Sequence, residues 1–468
     1  MEKVGVLIVS YGSREAAMVD SFCRSRKYNV ELYIADRQRN PFNAERAKEH
    51  AVIPDLRVEK ICEFAEKHKD KIDFGIVGPE GPIIDGVREM VEEKTGIPMI
   101  CPNRRYALEA SKVEQRLLIR DVIPEANPSF KVFTPGDYAD RGRGELVSDV
   151  KEWIAELGGV NSVVIKPDKP GFGKGVGVGG EHFTTMEEAL QHFFSICSGD
   201  SNERVIVEER VEGEESSFQA WCDGKSLVAL PDTRDYKRAF DGDWGPNTGG
   251  TGSYKARSEH LPFMTQADRE EEVKISQRIF ERLRKGIEGS ELRGMPFYIA
   301  FIHTGKGLKI LEINSRPGDP EIINLLPLFK EDFIDLCYEM IHGTLKSVDV
   351  EPEASVVTYA MPLTYGGYRR RFSGEVPVDL TEVYKLSAKY GDRIRIYPGS
   401  MEMRDDGKSY ALRSRAVCVV GLGEDIQSAR AISLEGVTNI DGALWNRWDI
   451  GSAKHIAMSI NHMERLRR

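Results

Sequence analysis

The chain has 468 residues, of which 40% are hydrophobic and 30% charged, and its formal net charge is −10. This acidic balance argues against a general nucleic-acid binder, which needs a basic face. No apolar run reaches the roughly 18 residues of a membrane span, so no membrane contact is expected. Seven scattered cysteines without a CxxC pair, and a strand-like run at the start, predict a cytoplasmic protein without a signal peptide.

The first hundred residues alternate strand and helix patterns. Strands are predicted at residues 4–10, 30–35, 72–77 and 97–100, with helical patterns such as 58–67 and 85–94 between them. Such a βαβ array predicts a parallel sheet, which binds ligands at the carboxyl ends of its strands.

Two turns lie at those carboxyl ends. One is Gly12-Ser13-Arg14-Glu15, and the other is Gly78-Pro79-Glu80. Asp36 follows the first turn at about the distance of a dinucleotide fingerprint, but the turn has one glycine where that fingerprint needs three. A small phosphorylated substrate at the N-terminus of the following helix fits the turn better.

A lysine and a glycine-rich loop follow the strand predicted at residues 162–165. Lys166 closes the strand, and Lys174 lies in the loop. This arrangement is typical of a flap over nucleotide phosphates, although Gly175 rules out a Walker A loop. A plain hairpin with exposed lysines is the alternative. The acidic segment at 208–216 fits either a solvated edge or contacts to a nucleoside.

The segment Asp235–Gly252 is dense in glycines and charges and lacks apolar periodicity. It is therefore predicted to be a surface loop and not a core element. Its glycines allow backbone N–H groups to approach an anion, and Lys237 and Arg238 supply positive charge. A solvated turn cluster is the alternative, and taken alone the segment indicates only that an anion binds here.

A strand predicted at residues 308–313 ends in alternating oxygen ligands. Alternation puts Glu312 and Asn314 on one face, where hard oxygen atoms suit Mg²⁺ shared with nucleotide phosphates. A structural salt bridge between Glu312 and Arg316 remains the alternative. The residues after 355 show short strands and two late helices and no catalytic constellation, so this part is predicted to form a wall of the site.

Together these motifs resemble those of the phosphoribosylamine–glycine ligase family, also called glycinamide ribonucleotide synthetases, of the ATP-grasp superfamily. The most specific matches are Asp235–Gly252, for DxKR…D-x-GPNTGG-x-G, and Glu312–Glu321, for E-x-N-x-R-x-GDPE. Further matches run along nearly the whole chain in the family's order, at Gly12–Glu15, Gly78–Pro82, Glu109–Lys112, Lys166–Gly175, Gly213–Ser217 and Arg447–Gly451.

The resemblance implies ATP-dependent joining of glycine to 5-phosphoribosylamine through glycyl phosphate, an early step of purine synthesis. It implies ATP contacts at Lys112, Lys166, Gly173, Lys174, Gly175, Glu208, Glu209 and Glu215. It implies Mg²⁺ or Mn²⁺ at Glu312 and Asn314, and catalytic roles for Arg316, Lys237, Asp235 and Asn247. Those four also belong to the implied substrate contacts, with Gly12, Ser13, Arg14, Glu15, Gly78, Pro79, Glu80, Thr248, Gly249, Gly250 and Asp319.

The chain also departs from the family's pattern. Ala16 stands for a usual histidine, and Ala300 stands where relatives carry a further metal-binding side chain, so one metal ion would be lost or held by water. Residues 397–400 replace a usual HAGT, and Ser414-Arg415 replaces a glycine pair. These departures mark either a divergent lineage or an altered substrate.

The resemblance implies an α/β protein in three parts. These are an N-terminal parallel-sheet domain (1–104), a two-part α+β ATP-grasp domain (105–350, flap about 128–212) and a small β-rich C-terminal domain (351–468). It would act on small molecules as a monomer or homodimer. Two alternatives stay open: another ATP-grasp carboxylate–amine ligase, or a nucleotide-binding homologue without catalysis.

Overall fold

The computed structural model describes residues 1–170, 175–197, 202–286, 289–369, 371 and 376–468. It confirms the α/β class, with a parallel sheet at the N-terminus and antiparallel sheets beyond it. Within these residues, no helix has both the length and the apolar character that a membrane crossing requires.

The N-terminal part is a five-stranded parallel sheet with the order β3-β2-β1-β4-β5. Its elements are β1 (Glu2–Ser10), α1 (Ser13–Cys23), β2 (Tyr28–Asp36), α2 (Pro41–Arg46), β3 (Glu49–Val52), α3 (Val58–Lys67), β4 (Phe74–Val77), α4 (Glu80–Ile84), α5 (Val87–Thr95) and β5 (Met99–Ile100). The edge strand β3 has no apolar run, which is why its pattern does not predict it. Both turns at the strand ends lead into helices, α1 and α4.

Helix α6 (Lys112–Val122) leads to a four-stranded antiparallel sheet with the order β6-β9-β7-β8. The elements of this sheet are β6 (Phe130–Phe133), α7 (Arg143–Glu156), β7 (Val163–Pro167), β8 (Gly177–Val178), α8 (Met186–Ile196) and β9 (Val205–Glu209). Its core includes Phe133, Ile165, Phe193 and Val207. The predicted loop residues Gly173 and Lys174 lie outside the described residues.

The largest sheet has the path β17-β16-β10-β12-β15-β18-β22-β19, with β11 beside β10 and β23 beside β18. Its first elements are β10 (Glu214–Cys222), β11 (Leu227–Ala229), β12 (Thr233–Asp235), β13 (Arg238–Phe240), β14 (Trp244–Asn247), β15 (Gly252–Lys255), α9 (Gln266–Arg284), β16 (Gly294–Thr304), β17 (Gly307–Asn314), α10 (Glu321–Leu325) and α11 (Phe333–His342). Strands β13 and β14 pair only with each other among the described strands, as a hairpin beside this sheet.

The C-terminal elements are β18 (Ala354–Pro362), α12 (Thr381–Lys385), α13 (Ser387–Tyr390), β19 (Ile394–Pro398), β20 (Met401–Met403), β21 (Ser409–Ala411), β22 (Val417–Gly423), α14 (Ile426–Thr438), β23 (Leu444–Trp445) and α15 (Ala453–Leu466). Strands β18, β19, β22 and β23 continue the same sheet, whereas β20 and β21 form a separate two-stranded sheet. Strand β18 pairs with β15 on one side and β22 on the other, so the hydrogen-bonded ladder runs across the predicted boundary at residue 350. That boundary stays a prediction.

The two faces of the large sheet differ because side chains alternate along each strand. Phe218, Ile299 and Ile313 lie on the apolar face and belong to a core that includes residues of α6 and α9. The opposite face is polar. The register places Ser217 beside Ala300 and Ala300 beside Glu312, and in the next row Gln219 beside Tyr298 and Tyr298 beside Asn314. This polar face forms the floor of the candidate site.

Candidate functional site

Glu312 lies at the centre of a group of cations on the polar sheet face. Burial alone would raise the pKa of its carboxyl group, but four neighbouring cations hold this pKa below its ordinary value: Lys237, Lys166, Lys112 and Arg316. Such a concentration of positive charge around one carboxylate attracts further anions. The predicted phosphate-binding residues Lys112 and Lys166 thus lie near the predicted metal ligand Glu312.

Lys166 forms an ion pair with Glu208, which is 2% exposed. Arg116 holds the same carboxylate, with Nε donating to Oε2 at 2.7 Å and Nη2 donating to Oε1 at 3.2 Å. Burial raises the pKa of Glu208, but Arg116 and Lys166 outweigh it and lower the pKa to about 2. Glu208 is therefore ionised at neutral pH and fixes Lys166, and its neighbour Glu209 is only partly buried.

Helix α6 presents Lys112 at its first turn. Ser111 caps the helix by accepting from the N–H of Glu114 at 3.1 Å, and its hydroxyl donates to Asp168 Oδ1 at 2.6 Å. Lys112 Nζ donates to the carbonyl of Lys169 at 2.9 Å. These contacts tie the helix to the end of β7, where the predicted flap begins.

Arg316 links the N-terminal sheet to the end of β17. Its guanidinium lies 3.4 Å from a carboxylate oxygen of Glu80 and 3.4 Å from one of Glu109. Burial lowers the pKa of Arg316, but these carboxylates outweigh burial, so the net shift is upward. Burial raises the pKa of Glu109 to about 7, against the lowering effect of Arg316. The predicted turn at Gly78–Glu80 is thereby brought to the cationic cluster.

An acidic pocket adjoins this cluster on the same face. Glu321 is 1% exposed; Tyr298 donates its hydroxyl hydrogen to Oε1 at 2.5 Å, while Oε2 has no hydrogen-bond partner among the described residues. Asp235 Oδ1 is likewise buried without such a partner. Burial, together with the charge of Glu321, raises the pKa of Asp235 well above its ordinary value. Two buried carboxyl groups that interact in this way suit a positively charged ligand group.

The segment Asp235–Gly252 differs from its prediction as a loop outside the core. It contains the hairpin β13–β14, and Tyr236 is 1% exposed. Buried Arg447 anchors this hairpin through Asp243 and Asp449. The glycines and charges hide these strands in the sequence because they leave no apolar alternation.

Within this segment, Lys237 Nζ contacts Glu215 at 2.8 Å. The carbonyl of Lys237 accepts from the N–H of Thr248 at 2.7 Å and from its hydroxyl at 2.9 Å. Asn247 is exposed at the end of β14. Gly250 has a φ of +93°, and a methyl group there would lie 2.5 Å from Asp235 Oδ1. Glycine is therefore required where the chain passes the acidic pocket.

The first predicted turn is held together by its own side chains. Glu15 Oε2 accepts from the N–H groups of Tyr11 at 3.1 Å and Gly12 at 2.8 Å. Arg14 Nε donates to Glu15 Oε1 at 2.6 Å, and Arg14 Nη1 donates to the carbonyl of Pro317 at 2.8 Å. Ser13 donates its hydroxyl hydrogen to the carbonyl of Tyr397. Arg14 and Glu15 thus shape the turn, and their contact with a ligand stays a prediction.

The residues present fit a divalent cation that takes two ligands from the protein and the others from water and phosphate. Glu312 and Asn314 offer hard oxygen atoms on adjacent same-face positions of β17, and Asn314 Nδ2 has no hydrogen-bond partner within the described chain. Across the described ranges, no cluster of three or more histidine, cysteine, aspartate or glutamate residues is arranged to hold a metal. Ala300, opposite Glu312, adds no ligand. Mg²⁺ accepts such a site, because it keeps several water and phosphate ligands.

Three further site residues carry no predicted role: Glu321, Tyr298 and Arg415. Glu321 is the last residue of the GDPE motif, so its position in the sequence indicates that it belongs to the site. Tyr298 is one aromatic residue within a buried strand and gives no signal. Arg415 donates to the carbonyls of Gly249 and Gly250 and to the carboxylate of Asp319. The two glycines lie 165 or more positions before it in the chain. Nothing local to residue 415 indicates these contacts.

Family models and full-length relatives match most of this chain. Residues 4–109 match the N domain of phosphoribosylglycinamide synthetase, and residues 141–322 match its ATP-grasp (A) domain. A phosphoribosylamine–glycine ligase of Methanococcoides burtonii is 36% identical over 99% of this chain and 100% of its own length. One of Methanocella arvoryzae is 34% identical over 99% of both chains.

Solved structures support the fold. A crystal structure of a phosphoribosylamine–glycine ligase from Thermotoga maritima matches with a TM-score of 0.74 at 23% identity, covering 96% of this chain and all of that one. A biotin carboxylase domain from Hydrogenobacter thermophilus, solved with MgADP, matches with a TM-score of 0.66 at 14% identity, covering 98% and 93%. The family models and the full-length relatives confirm the resemblance: the chain belongs to the phosphoribosylamine–glycine ligase family of ATP-grasp enzymes.

Proposed function

We propose that the chain uses ATP to join glycine to 5-phosphoribosylamine, which gives glycinamide ribonucleotide, ADP and phosphate. The observation that carries this proposal is the group of four cations around Glu312, which adjoins the buried acidic pocket of Asp235 and Glu321 on one sheet face. Such a site attracts phosphates at one end and an ammonium group at the other. The relatives that match along their full length carry the name of this ligase.

The chemistry explains why the site needs both ends. A carboxylate does not react with an amine at neutral pH, so glycine must first receive a phosphoryl group from ATP. The resulting glycyl phosphate has a good leaving group, and the amine displaces phosphate to form the amide. Such transfer depends on positioning and on neutralising charge more than on a protein nucleophile.

In this proposal the ATP phosphates bind Lys112 and Lys166. The predicted flap contributes Gly173, Lys174 and Gly175 and closes over the nucleotide, which excludes water that would hydrolyse glycyl phosphate. The nucleoside is held by three carboxylate residues: Glu208, Glu209 and Glu215. Of these, Glu208 acts mainly through its ion pair with Lys166, since its carboxylate is already shared with Arg116.

The metal ion, Mg²⁺ or Mn²⁺, would be held by Glu312 and Asn314. When bound, it supplies positive charge to the ATP phosphates. Arg316 then stabilises the charge on the transferring phosphoryl group, because Glu80 and Glu109 fix its guanidinium in place. Lys237, held by Glu215, orients the glycine carboxylate from the other side.

The substrate end lies around the acidic pocket. The ammonium group of glycine faces Asp235 and Glu321, whose unpartnered oxygens would otherwise remain unsatisfied. The amine of phosphoribosylamine approaches along Asn247, Thr248, Gly249 and Gly250, beside Asp319. Its ribose phosphate lies toward the N-terminal sheet, at Gly12, Ser13, Arg14 and Glu15 and at Gly78, Pro79 and Glu80, where the N-terminus of α1 favours an anion.

We further propose that the enzyme is cytoplasmic, acts as a monomer or homodimer, and has domain boundaries near residues 104 and 350.

The first experiment measures ADP release with Mg-ATP and glycine, with and without freshly made phosphoribosylamine. Release that requires both substrates, stops with EDTA and returns with added Mg²⁺ is the expected result. ADP release without the amine would contradict phosphoribosylamine as the acceptor. No release under any of these conditions would contradict the ligase assignment. Replacing the substrate glycine by the amino acid alanine in the same assay tests which carboxylic acid the enzyme activates.

A further inference from the structure

Arg415 is the one described side chain after residue 380 whose guanidinium bonds two separate loops of the candidate site. Its Nη1 donates to the carbonyls of Gly249 at 2.6 Å, Gly250 at 3.2 Å and Asp319 at 2.9 Å. Its Nη2 donates to Asp319 Oδ2 at 3.0 Å. The side chain is 11% exposed, so these bonds are largely shielded from water.

Tyr359 contacts both Arg415 and Asp319 and so stabilises their ion pair. The guanidinium carbon of Arg415 lies 4.8 Å from the centre of the Tyr359 ring, and the Tyr359 hydroxyl donates to Asp319 Oδ1 at 2.7 Å. Both carboxylate oxygens of Asp319 are therefore held. Burial raises the pKa of Asp319, but Arg415 and Arg14 outweigh it, so the carboxyl group is held below its ordinary range. Asp319 is thus a fixed anion that anchors Arg415.

The two loops that Arg415 joins lie beside the two halves of the acidic pocket. Gly250 lies against the carboxylate of Asp235, and residue 319 lies two positions before Glu321. A shift of either loop therefore changes how the carboxyl groups of Asp235 and Glu321 face each other. Tyr365 adds a bond from its hydroxyl oxygen, which accepts from the N–H of Gly249 at 3.1 Å.

We propose that Arg415 is a positioning residue for the amino-acid end of the site, whose planar guanidinium sets the separation of the Gly249–Gly250 turn and the Asp319 loop. This inference rests on the proposed function, because it assigns glycine to the pocket of Asp235 and Glu321. A guanidinium suits this task because its donors have fixed directions in one plane. A lysine keeps the charge but cannot hold three carbonyls and a carboxylate in that geometry.

Arg269 provides a matched control. It also bonds a buried carboxylate, with Nη1 2.7 Å from Asp232 Oδ1, and a carbonyl, that of Leu230 at 2.6 Å. Its guanidinium also lies over an aromatic ring, that of Phe218 at 5.1 Å. Phe218 belongs to the apolar face of the sheet, so Arg269 makes the same kinds of contact away from the site.

The test compares Arg415→Lys with Arg269→Lys in the full-length enzyme. We expect Arg415→Lys to raise the KM for glycine at least about tenfold, the usual effect of losing a hydrogen bond to a charged group. The KM for ATP should change less than about twofold, since Arg415 touches no predicted ATP contact. Arg269→Lys should leave the KM for glycine unchanged. Added guanidinium ions should partly restore glycine binding to Arg415→Ala and not to Arg415→Lys.

Three results would overturn the inference: an unchanged KM for glycine in Arg415→Lys, equal rises for glycine and ATP, or the same rise in Arg269→Lys. If Arg415→Lys does not fold, Tyr359→Phe applies the same test, because it removes the hydroxyl bond to Asp319 while the ring beside Arg415 is kept, and it should raise the glycine KM to a smaller extent. Failure of the unaltered enzyme to release ADP would refute the proposed function itself. That result is separate from any result on the variants.

Discussion

Replacement of Gly78 by alanine tests how the N-terminal turn is built. A methyl group at residue 78 would lie 1.6 Å from Glu15 Oε1 and 2.4 Å from Glu15 Cδ. Glu15 is fully buried and cannot swing into solvent. The substitution must therefore push the carboxylate away from Arg14 and from the N–H groups of Tyr11 and Gly12.

The expected cost follows from what the displaced carboxylate leaves behind. Arg14 is 3% exposed, so it loses its ion-pair partner inside the protein. Separating a buried ion pair of this kind typically costs about 3–5 kcal/mol. We therefore expect Gly78→Ala to lower the free energy of unfolding by about that amount. Urea titration followed by circular dichroism measures this loss, with the N-terminal part unfolding first if the transition splits.

Gly81 is the matched control, because it lies three residues further on and a methyl group there would have no atom within 4 Å. Gly81→Ala should change the free energy of unfolding by no more than about 0.5 kcal/mol. If Gly78→Ala were as stable as the unaltered protein while Gly81→Ala behaved as expected, the packing of Gly78 against Glu15 would be refuted.

Three further predictions concern charge and backbone. Glu312→Gln should reduce ADP release by at least about a hundredfold while circular dichroism stays unchanged, since one charge is lost at the centre of the cations; full activity would contradict the metal site. Gly250→Ala should impair turnover more than it impairs ATP binding, measured by nucleotide titration, because the methyl group meets Asp235 at a φ of +93°; equal losses would count against it. Burial raises the pKa of Glu272 to about 7, so the stability linked to its protonated form is complete below about pH 4.5 and lost as the pH rises through 7. Glu272→Gln should therefore melt at a higher temperature than the unaltered protein at pH 8 and show a smaller decrease between pH 5 and 8; identical pH profiles would exclude this role.

The periodic pattern of apolar residues made the main helices and strands predictable. Helix α3 begins and ends where its apolar periodicity does, and β1 and β17 extend their predicted runs by one or two residues. The same alternation placed Glu312 and Asn314 on one face, and the register with Ala300 and Tyr298 agrees with it. These features depend on neighbours close in sequence, which a single chain displays directly.

The parts that could not be predicted depend on distant neighbours. Glu208 follows a buried strand, but its pairing with Arg116 joins residues 92 positions apart. The inward direction of Glu15, in α1, depends on Gly78, which follows β4. Strand β12 has three residues, too few to show a period, and becomes a strand because β10 and β15 flank it. Arg415 belongs to the same class, since its partners Gly249 and Asp319 lie 166 and 96 positions earlier in the chain.

The continuous sheet has a consequence for the order in which the protein can fold during synthesis. Strand β15 leaves the ribosome about 100 residues before β18, its partner on the outer side. Until residues 354–362 appear, β15 presents an open edge with unpaired N–H and carbonyl groups, which is a template for pairing with other chains. A fragment that ends near residue 350 should therefore aggregate during expression, even though it contains all the predicted nucleotide contacts. Supplying residues 351–468 as a separate chain would cover that edge and restore a soluble complex.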